Sequence, residues 1–158
     1  MKPGLLELLS FLDEQGIPSA IVTSSSRATV DKHLIATGLQ GRFETVIAPG
    51  DYSTGKPHPA PYLLAAERIG LDTSECVALE DSRNGVLSAL NAGAMTITVP
   101  DRVRPTDDIL DRCERVLGDL YAVRNLLEPI LAAIDETARR VLGFVVQHHA
   151  DGSLTTLR

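Results

Sequence analysis

The sequence predicts an α/β fold in which helices cover both faces of a mostly parallel sheet. Helical and strand-like segments alternate along residues 1–100, and the strand-like segments are continuous apolar runs, as at residues 20–22 and 76–79. This pattern indicates a parallel sheet, because strands buried on both faces lack the polar–apolar alternation of a half-exposed sheet. The chain of 158 residues is long enough for one domain with one core.

The composition is typical of a soluble globular protein and excludes several other classes. Apolar residues make up 44% of the chain and charged residues 23%. With 15 basic against 21 acidic residues, the net charge of −6 argues against nucleic acid as a partner. No apolar run is long enough to cross a membrane or to act as a signal peptide, and Cys76 and Cys113 make no disulfide framework. We therefore expect a cytoplasmic protein without membrane or nucleic-acid partners.

Glycine and proline divide the chain into its predicted elements. Each of the first four helices ends at a glycine, a residue that favours the left-handed backbone common after a helix. We predict helices at residues 2–15, 27–37, 60–69 and 82–92, and strands at residues 20–22, 45–48, 76–79 and 95–99. Beyond Pro100 the pattern weakens. There we predict a loop entering a short helix at 101–111, a short strand at 116–117, an amphipathic helix at 120–141 that contains Pro129, a strand at 141–148 and a turn at 150–153.

Polar side chains follow three of the predicted strands. The hydroxyl run 23–26 follows the first strand, Lys56 lies in the loop after the second, and Glu80 and Asp81 follow the third. Ligands of such sheets bind beyond the carboxyl ends of the strands, so these groups should meet at one edge. Each group has a simpler interpretation, as a helix cap or as a solvated surface charge. Together they combine an anion site, a cation and carboxylates that suit Mg²⁺, as phosphoryl transfer requires.

Three segments, in order, carry a resemblance to a known family. Residues 21–27 read Ile-Val-Thr-Ser-Ser-Ser-Arg, residues 55–62 read Gly-Lys-Pro-His-Pro-Ala-Pro-Tyr, and residues 77–85 read Val-Ala-Leu-Glu-Asp-Ser-Arg-Asn-Gly. They resemble the second, third and fourth motifs of the haloacid dehalogenase (HAD) superfamily, in its phosphatase and beta-phosphoglucomutase-like branch. The resemblance covers roughly residues 1–128 and implies a three-layer, Rossmann-like core.

The resemblance also implies a role for each of these motifs. The groups that would bind the phosphate are those of Thr23, Ser24, Ser25 and Lys56. Among them, Thr23 and Lys56 would act on the transferring phosphoryl group itself. Asp81, together with Glu80, would hold Mg²⁺, and Asn84 would lie at the edge of the site.

The family's first motif, Asp-x-Asp-Gly-Thr, is absent from this sequence. Its first Asp is the phosphoryl-accepting nucleophile, and the helical cap domain that selects the substrate is missing as well, so we expect a truncated core. In the family, the strand of this motif lies between the strands that here end at Thr23 and Glu80. Without it, two inner strand edges would be left unpaired. We predict that residues 141–148 fill this gap, either from the same chain or swapped from a second copy.

Residues 149–154, His-Ala-Asp-Gly-Ser-Leu, weakly resemble the missing motif. In that register His149 takes the place of the nucleophile and Asp151 that of the acid–base residue, and a phosphohistidine is chemically feasible. The alternative is a hairpin turn, because Asp-Gly is a common turn pair.

The sequence thus predicts the core of a Mg²⁺-dependent HAD-type phosphatase that acts on a small phosphorylated metabolite. Residues 1–128 would form the core and residues 129–158 a C-terminal extension. Without the nucleophile, this chain alone is expected to be weak or inactive as an enzyme. Two alternatives stay open: a phosphomutase, and a non-catalytic module that binds a phosphorylated ligand or a protein. A homodimer or a strand-swapped assembly is compatible with either.

Overall fold

A computed structural model of the chain describes residues 2–100, 106–139 and 142–148. Its strands are β1 (Ser19–Thr23), β2 (Thr45–Ile47), β3 (Cys76–Glu80), β4 (Met95–Thr98), β5 (Arg115–Val116) and β6 (Gly143–His148). Its α-helices are α1 (Leu5–Glu14), α2 (Arg27–Ala36), α3 (Ala60–Arg68), α4 (Arg83–Ala92), α5 (Asp107–Leu110), α6 (Leu120–Ala133) and α7 (Glu136–Arg139). A single 3-10 turn, Thr73–Glu75, precedes β3 in the described chain.

The strands form one sheet in the order β2-β1-β6-β3-β4-β5, and every pairing in it is parallel. The predicted α/β class with a parallel sheet is therefore confirmed. All strands of the sheet present their carboxyl ends to the same edge, and this edge is where the sequence places its candidate site residues.

Alternate residues of the central strands face two separate apolar layers. Ile21, Leu79 and Val146 pack on one face against residues of α1, α2 and α6. On the other face, small side chains such as Ala20 and Ala78 let α3 and α4 pack closely against the sheet. The three layers of helix, sheet and helix follow from this alternation, because successive side chains of a strand point to opposite faces.

β6 lies between β1 and β3, in the gap that the missing motif would leave. Val145 is the register partner of Ala20 in β1 and also of Ala78 in β3, and all three residues are fully buried. The prediction that a strand within residues 141–148 completes the sheet is confirmed for Gly143–His148, and within the described residues this strand comes from the same chain. Both inner strand edges thus gain hydrogen-bonding partners.

The predicted helix over residues 120–141 is correct as far as Ala133 and wrong from Ile134 onward in the described residues. α6 ends at Ala133 because Ile134 adopts extended backbone, with φ −107° and ψ 150°, and the short α7 follows. Pro129 lies inside α6 without ending it. The predicted boundary between residues 128 and 129 falls within α6, and the division into core and extension stays a prediction.

No helix in the described part of the chain is long and apolar enough to cross a membrane.

Candidate active site at the carboxyl edge of the sheet

The central position of β6 brings three strand ends together. Gln147 of β6 is the register partner of Val22 in β1, and the preceding residue, Val146, is the partner of Leu79 in β3. Thr23 and Glu80 therefore end the two strands that flank β6, and Gln147 lies one residue before the end of β6. Thr23 and Glu80 were predicted to lie at this edge, and the structure brings both of them there.

Lys56 reaches this edge from the loop between β2 and α3. Its Nζ atom lies 2.5 Å from Oε1 of Glu80, and the exposed fractions of the two side chains are 4% and 0%. Lys56 is therefore no solvated surface lysine, which was the simpler interpretation of its sequence context. A buried ion pair of this kind needs hydrogen bonds to its remaining donors and acceptors, since water no longer supplies them.

Glu80 receives several of these hydrogen bonds. The hydroxyl of Tyr62, a fully buried residue of α3, lies 2.5 Å from Oε1 of Glu80. The other carboxylate oxygen, Oε2, accepts from the backbone N–H of Asp81 at 3.2 Å and from the hydroxyl of Ser82 at 3.3 Å. The ring of Tyr62 also lies beneath Lys56, with Nζ 5.1 Å from the ring centroid. Sequence analysis gave Tyr62 no role, because a tyrosine in a helical apolar pattern is indistinguishable from an ordinary core residue.

Burial and charge act in opposite directions on Lys56. Burial lowers the pKa of its ammonium, and the nearby carboxylates of Glu80 and Asp81 partly oppose this effect. For Tyr62, burial and the charge of Glu80 both raise the pKa of the hydroxyl, which therefore stays a hydrogen-bond donor. The cluster thus places the ammonium of Lys56 beside the carboxylate of Glu80, with Asp81 nearby, in a site screened from water.

Gln147 is the functional candidate that sequence analysis missed. Its side chain is 5% exposed, and its Oε1 atom accepts a hydrogen bond from Nζ of Lys56. In the sequence, Gln147 is visible only as one amide side chain in the mainly apolar stretch of β6. A strand prediction based on continuous apolar residues gives such a side chain no role.

The hydroxyl run after β1 forms a tight turn that leads into α2. Oγ1 of the fully buried Thr23 accepts from the backbone N–H of Ser25 at 2.9 Å, and Ser26 caps α2 by accepting from the N–H of Thr29 at 3.3 Å. Ser25 is buried, and its hydroxyl has no hydrogen-bond partner within the described residues. Ser24 is exposed. Ser26 is the only hydroxyl of the run that caps α2, so the cap does not account for the presence of the other hydroxyls.

A second loop holds this turn from the side of β2. The hydroxyl of Tyr52 donates to the backbone carbonyl of Thr23 at 3.2 Å. One carboxylate oxygen of Asp51 accepts both from the guanidinium of Arg27 at 2.5 Å and from the N–H of Ala48 at 2.8 Å. These contacts fix the start of α2 against the loop that carries Lys56.

The end of β3 separates the helix cap from the candidate metal ligand. Ser82 caps α4 by accepting from the N–H of Gly85 at 3.1 Å. The alternative interpretation, in which Asp81 or Ser82 caps the helix, therefore holds for Ser82 and not for Asp81, which is buried with 5% exposure. Asn84, in the first turn of α4, is exposed. His149 and Asp151 lie outside the described residues.

In the described chain, the carboxylates that could hold Mg²⁺ at this edge all lie at the end of one strand, β3. Within residues 2–100, 106–139 and 142–148, no group of three or more His, Cys, Asp or Glu side chains could hold a metal ion. Mg²⁺ needs fewer protein ligands, because one or two carboxylates together with water and substrate phosphate suffice. Asp81 supplies such a carboxylate, while the carboxylate of Glu80 is already engaged by Lys56 and Tyr62.

Known proteins with similar sequences are hydrolases of the haloacid dehalogenase type and phosphatases. A sequence profile of the haloacid dehalogenase-like hydrolases matches residues 1–93. Hexitol phosphatase A of Escherichia coli is 41% identical over 120 residues, which cover 72% of this chain and 55% of the relative.

Solved structures agree with this chain in fold. A HAD-family hydrolase from Deinococcus radiodurans, determined with bound phosphate and sodium, has a TM-score of 0.70 and 32% identity, and the match covers 82% of this chain and 60% of that one. A protein from Thermotoga maritima assigned as a beta-phosphoglucomutase has a TM-score of 0.72 and 26% identity, with coverage of 80% and 59%. The chain spans about half the length of the curated relatives it matches, from 41% to 55% for three of them.

Proposed function

Because this chain belongs to the haloacid dehalogenase-like hydrolases, we propose that it is the core of a Mg²⁺-dependent phosphatase for a small phosphorylated metabolite. The observation that carries this proposal is the buried pair of Lys56 and Glu80, which lies at the same sheet edge as the hydroxyl turn at Thr23. Phosphoryl transfer is catalysed mainly by positioning and by neutralising negative charge. A cation fixed at the same sheet edge as buried hydroxyls is suited to both tasks.

Lys56 is the residue to which we assign charge neutralisation. Its ammonium would attract a phosphoryl oxygen, and burial strengthens this attraction because the local dielectric constant is low. Thr23 would donate a hydrogen bond to the same group, with Ser24 and Ser25 beside it. The hydroxyl of Ser25 is suited to this role because it is buried and has no partner within the described residues.

Asp81, together with Glu80, is the ligand set that we assign to Mg²⁺. A bound Mg²⁺ would supply positive charge to the phosphate and would help to orient it. Asp81 carries most of this assignment, because Glu80 already serves Lys56 and Tyr62. Asn84 would contribute only at the rim, where its exposed side chain can meet a substrate group.

Binding of inorganic phosphate tests this function without requiring turnover. We expect the chain to bind phosphate in an isothermal titration, and to bind it more tightly when Mg²⁺ is present. Lys56→Met should abolish binding, and Asp81→Asn should remove the effect of Mg²⁺. Lys32→Met is the matched control, because Lys32 is exposed on α2 and should leave binding unchanged. Failure of the unmodified chain to bind phosphate would overturn the proposal.

Turnover, where it is observed, separates the phosphatase from the phosphomutase. The similarity to a protein assigned as a beta-phosphoglucomutase favours a phosphomutase as the second candidate. Release of phosphate from p-nitrophenyl phosphate or a sugar phosphate would support the phosphatase, whereas isomerisation of a sugar phosphate would support the mutase. Phosphate binding with neither activity is the result expected of a non-catalytic binding module, and it is also our expectation for this chain tested alone.

A further inference from the structure

We propose that Gln147 is a positioning residue that fixes the ammonium of Lys56 for contact with a phosphate group. This inference rests on the proposed function, since it deepens the role given there to Lys56. It assigns a task to β6 beyond completing the sheet. The strand that occupies the central gap also supplies a side chain to the site.

Gln147 is well placed to hold another side chain. It lies on a strand that is hydrogen-bonded on both sides, to β1 and to β3, so its backbone has little freedom. Its side chain is 5% exposed, and its Oε1 atom accepts from Nζ of Lys56. Lys56, by contrast, comes from a loop and has a long side chain with several rotatable bonds.

Two acceptors on two different strands define the position of the ammonium. Glu80 on β3 lies 2.5 Å from Nζ, and Gln147 on β6 accepts from the same nitrogen. A lysine ammonium has three N–H donors. With two of them directed to Glu80 and Gln147, we assign the remaining one to a phosphoryl oxygen. Loss of either acceptor would let the ammonium turn away from this direction.

The neutral amide suits this task better than a carboxylate or an apolar side chain. The carboxylates of Glu80 and Asp81 already act on Lys56, so a further carboxylate at position 147 would add negative charge to the cluster and repel phosphate. An apolar group would leave a buried N–H donor of Lys56 without its acceptor. Buried polar groups in folded proteins are rarely left without a hydrogen-bond partner. The amide of glutamine supplies an acceptor and adds no charge.

Two substitutions test the inference, because they separate the hydrogen bond from the charge. Gln147→Leu removes the acceptor, and Gln147→Glu keeps an acceptor in the same place and adds a negative charge. The ammonium signal of Lys56 in a ¹⁵N-labelled chain reports whether its protons are held. It can be assigned because the sequence has three lysines, Lys2, Lys32 and Lys56, and Lys56→Met removes one signal.

We expect the leucine variant to lose or broaden the Lys56 signal and the glutamate variant to keep it. Both variants should bind inorganic phosphate about tenfold more weakly than the unmodified chain, since a hydrogen bond to a charged group is lost in the leucine variant and a negative charge that repels phosphate is added in the glutamate variant. The signal of Lys32 should not change in either. If the leucine variant does not fold, Gln147→Asn makes the same test, because its amide is one methylene too short.

The results for Gln147 and for the proposed function can be told apart. If the unmodified chain binds no phosphate, the proposed function fails, and the Lys56 signal still decides whether Gln147 positions the ammonium. An unchanged Lys56 signal in the leucine variant, or in the asparagine variant if that one is used, would overturn the inference. So would unchanged phosphate affinity in a variant whose parent binds phosphate.

Discussion

Nζ of Lys56 and Oε1 of Glu80 lie 2.5 Å apart, and their side chains are 4% and 0% exposed. The pair joins a loop to the end of β3 across the sheet edge. Removing one member of a buried ion pair is far more costly than removing both, because the remaining charge is left without compensation. The difference in stability between the single and the double substitution therefore tests whether the pair of Lys56 and Glu80 is buried.

Replacing Lys56 by methionine should destabilise the chain by about 3–5 kcal/mol, the usual effect of breaking a buried pair. The double variant Lys56→Met/Glu80→Gln should recover part of this loss, because no charge is then buried alone. Urea unfolding measures both values. Glu128→Gln is the control, since it breaks the exposed pair of Arg124 and Glu128 and should change stability by only about 0.3–0.5 kcal/mol. Equal effects of Lys56→Met and Glu128→Gln would show that the Lys56 pair is solvated.

Gly85 leaves room for the carboxylate of Glu80 at the start of α4. A Cβ atom added at Gly85 would lie 1.9 Å from Oε2 of Glu80. Gly85→Ala should therefore lower stability by about 1–3 kcal/mol through overpacking, although alanine favours helices. Thermal unfolding measures the change. At Gly118, where an added Cβ meets nothing within 4 Å, the same substitution should be nearly neutral. A stabilising Gly85→Ala would contradict the inward orientation of Glu80.

β6 should be among the segments most resistant to amide hydrogen exchange. Its amides lie between two neighbouring strands, and Phe144, Val145 and Val146 are at most 1% exposed. Amides that open only with global unfolding exchange most slowly. The two-residue edge strand β5 is the internal comparison and should exchange faster. Exchange of β6 at the rate of β5, measured by NMR or mass spectrometry, would place β6 outside the sheet centre.

The two cysteines should differ in their reactivity towards alkylating reagents. Burial, helped by the charges of Glu75 and Asp72, raises the pKa of the Cys76 thiol to about 11. Burial also raises the pKa of Cys113, but this residue is only partly buried. Since the thiolate is the reactive form, Cys113 should react first near pH 8, and the rate at Cys76 should rise as the pH approaches its raised pKa. Mass spectrometry of tryptic peptides identifies the modified residue, and a faster reaction at Cys76 would contradict the structure.

The parallel sheet could be predicted from the sequence, and the family resemblance placed one strand of it between β1 and β3. Continuous apolar runs and glycine-ended helices define a parallel sheet, and the missing first motif identifies the unpaired edges. The residues at the strand ends, among them Thr23, Lys56 and Glu80, could be placed at one edge by the same rule.

The side-chain contacts within the site could not be predicted in this way. Whether Glu80 turns towards a metal or towards Lys56 depends on Tyr62 and on the space left by Gly85, and neither is visible in the spacing of motifs. Gln147 was missed because its significance depends on the register of β6 against β1 and β3. The end of α6 was missed because the apolar periodicity continues past Ala133, while the backbone of Ile134 becomes extended.

The position of β6 has a consequence for how the chain folds. β6 follows every other described strand in the chain, yet it alone connects the pair β2-β1 to the group β3-β4-β5. Its pairings join residues that are far apart in sequence, which raises the contact order and slows the formation of the sheet. Until β6 is inserted, the two parts of the sheet have no strand in common. We therefore expect insertion of this one strand to contribute to the cooperativity of unfolding of the whole sheet.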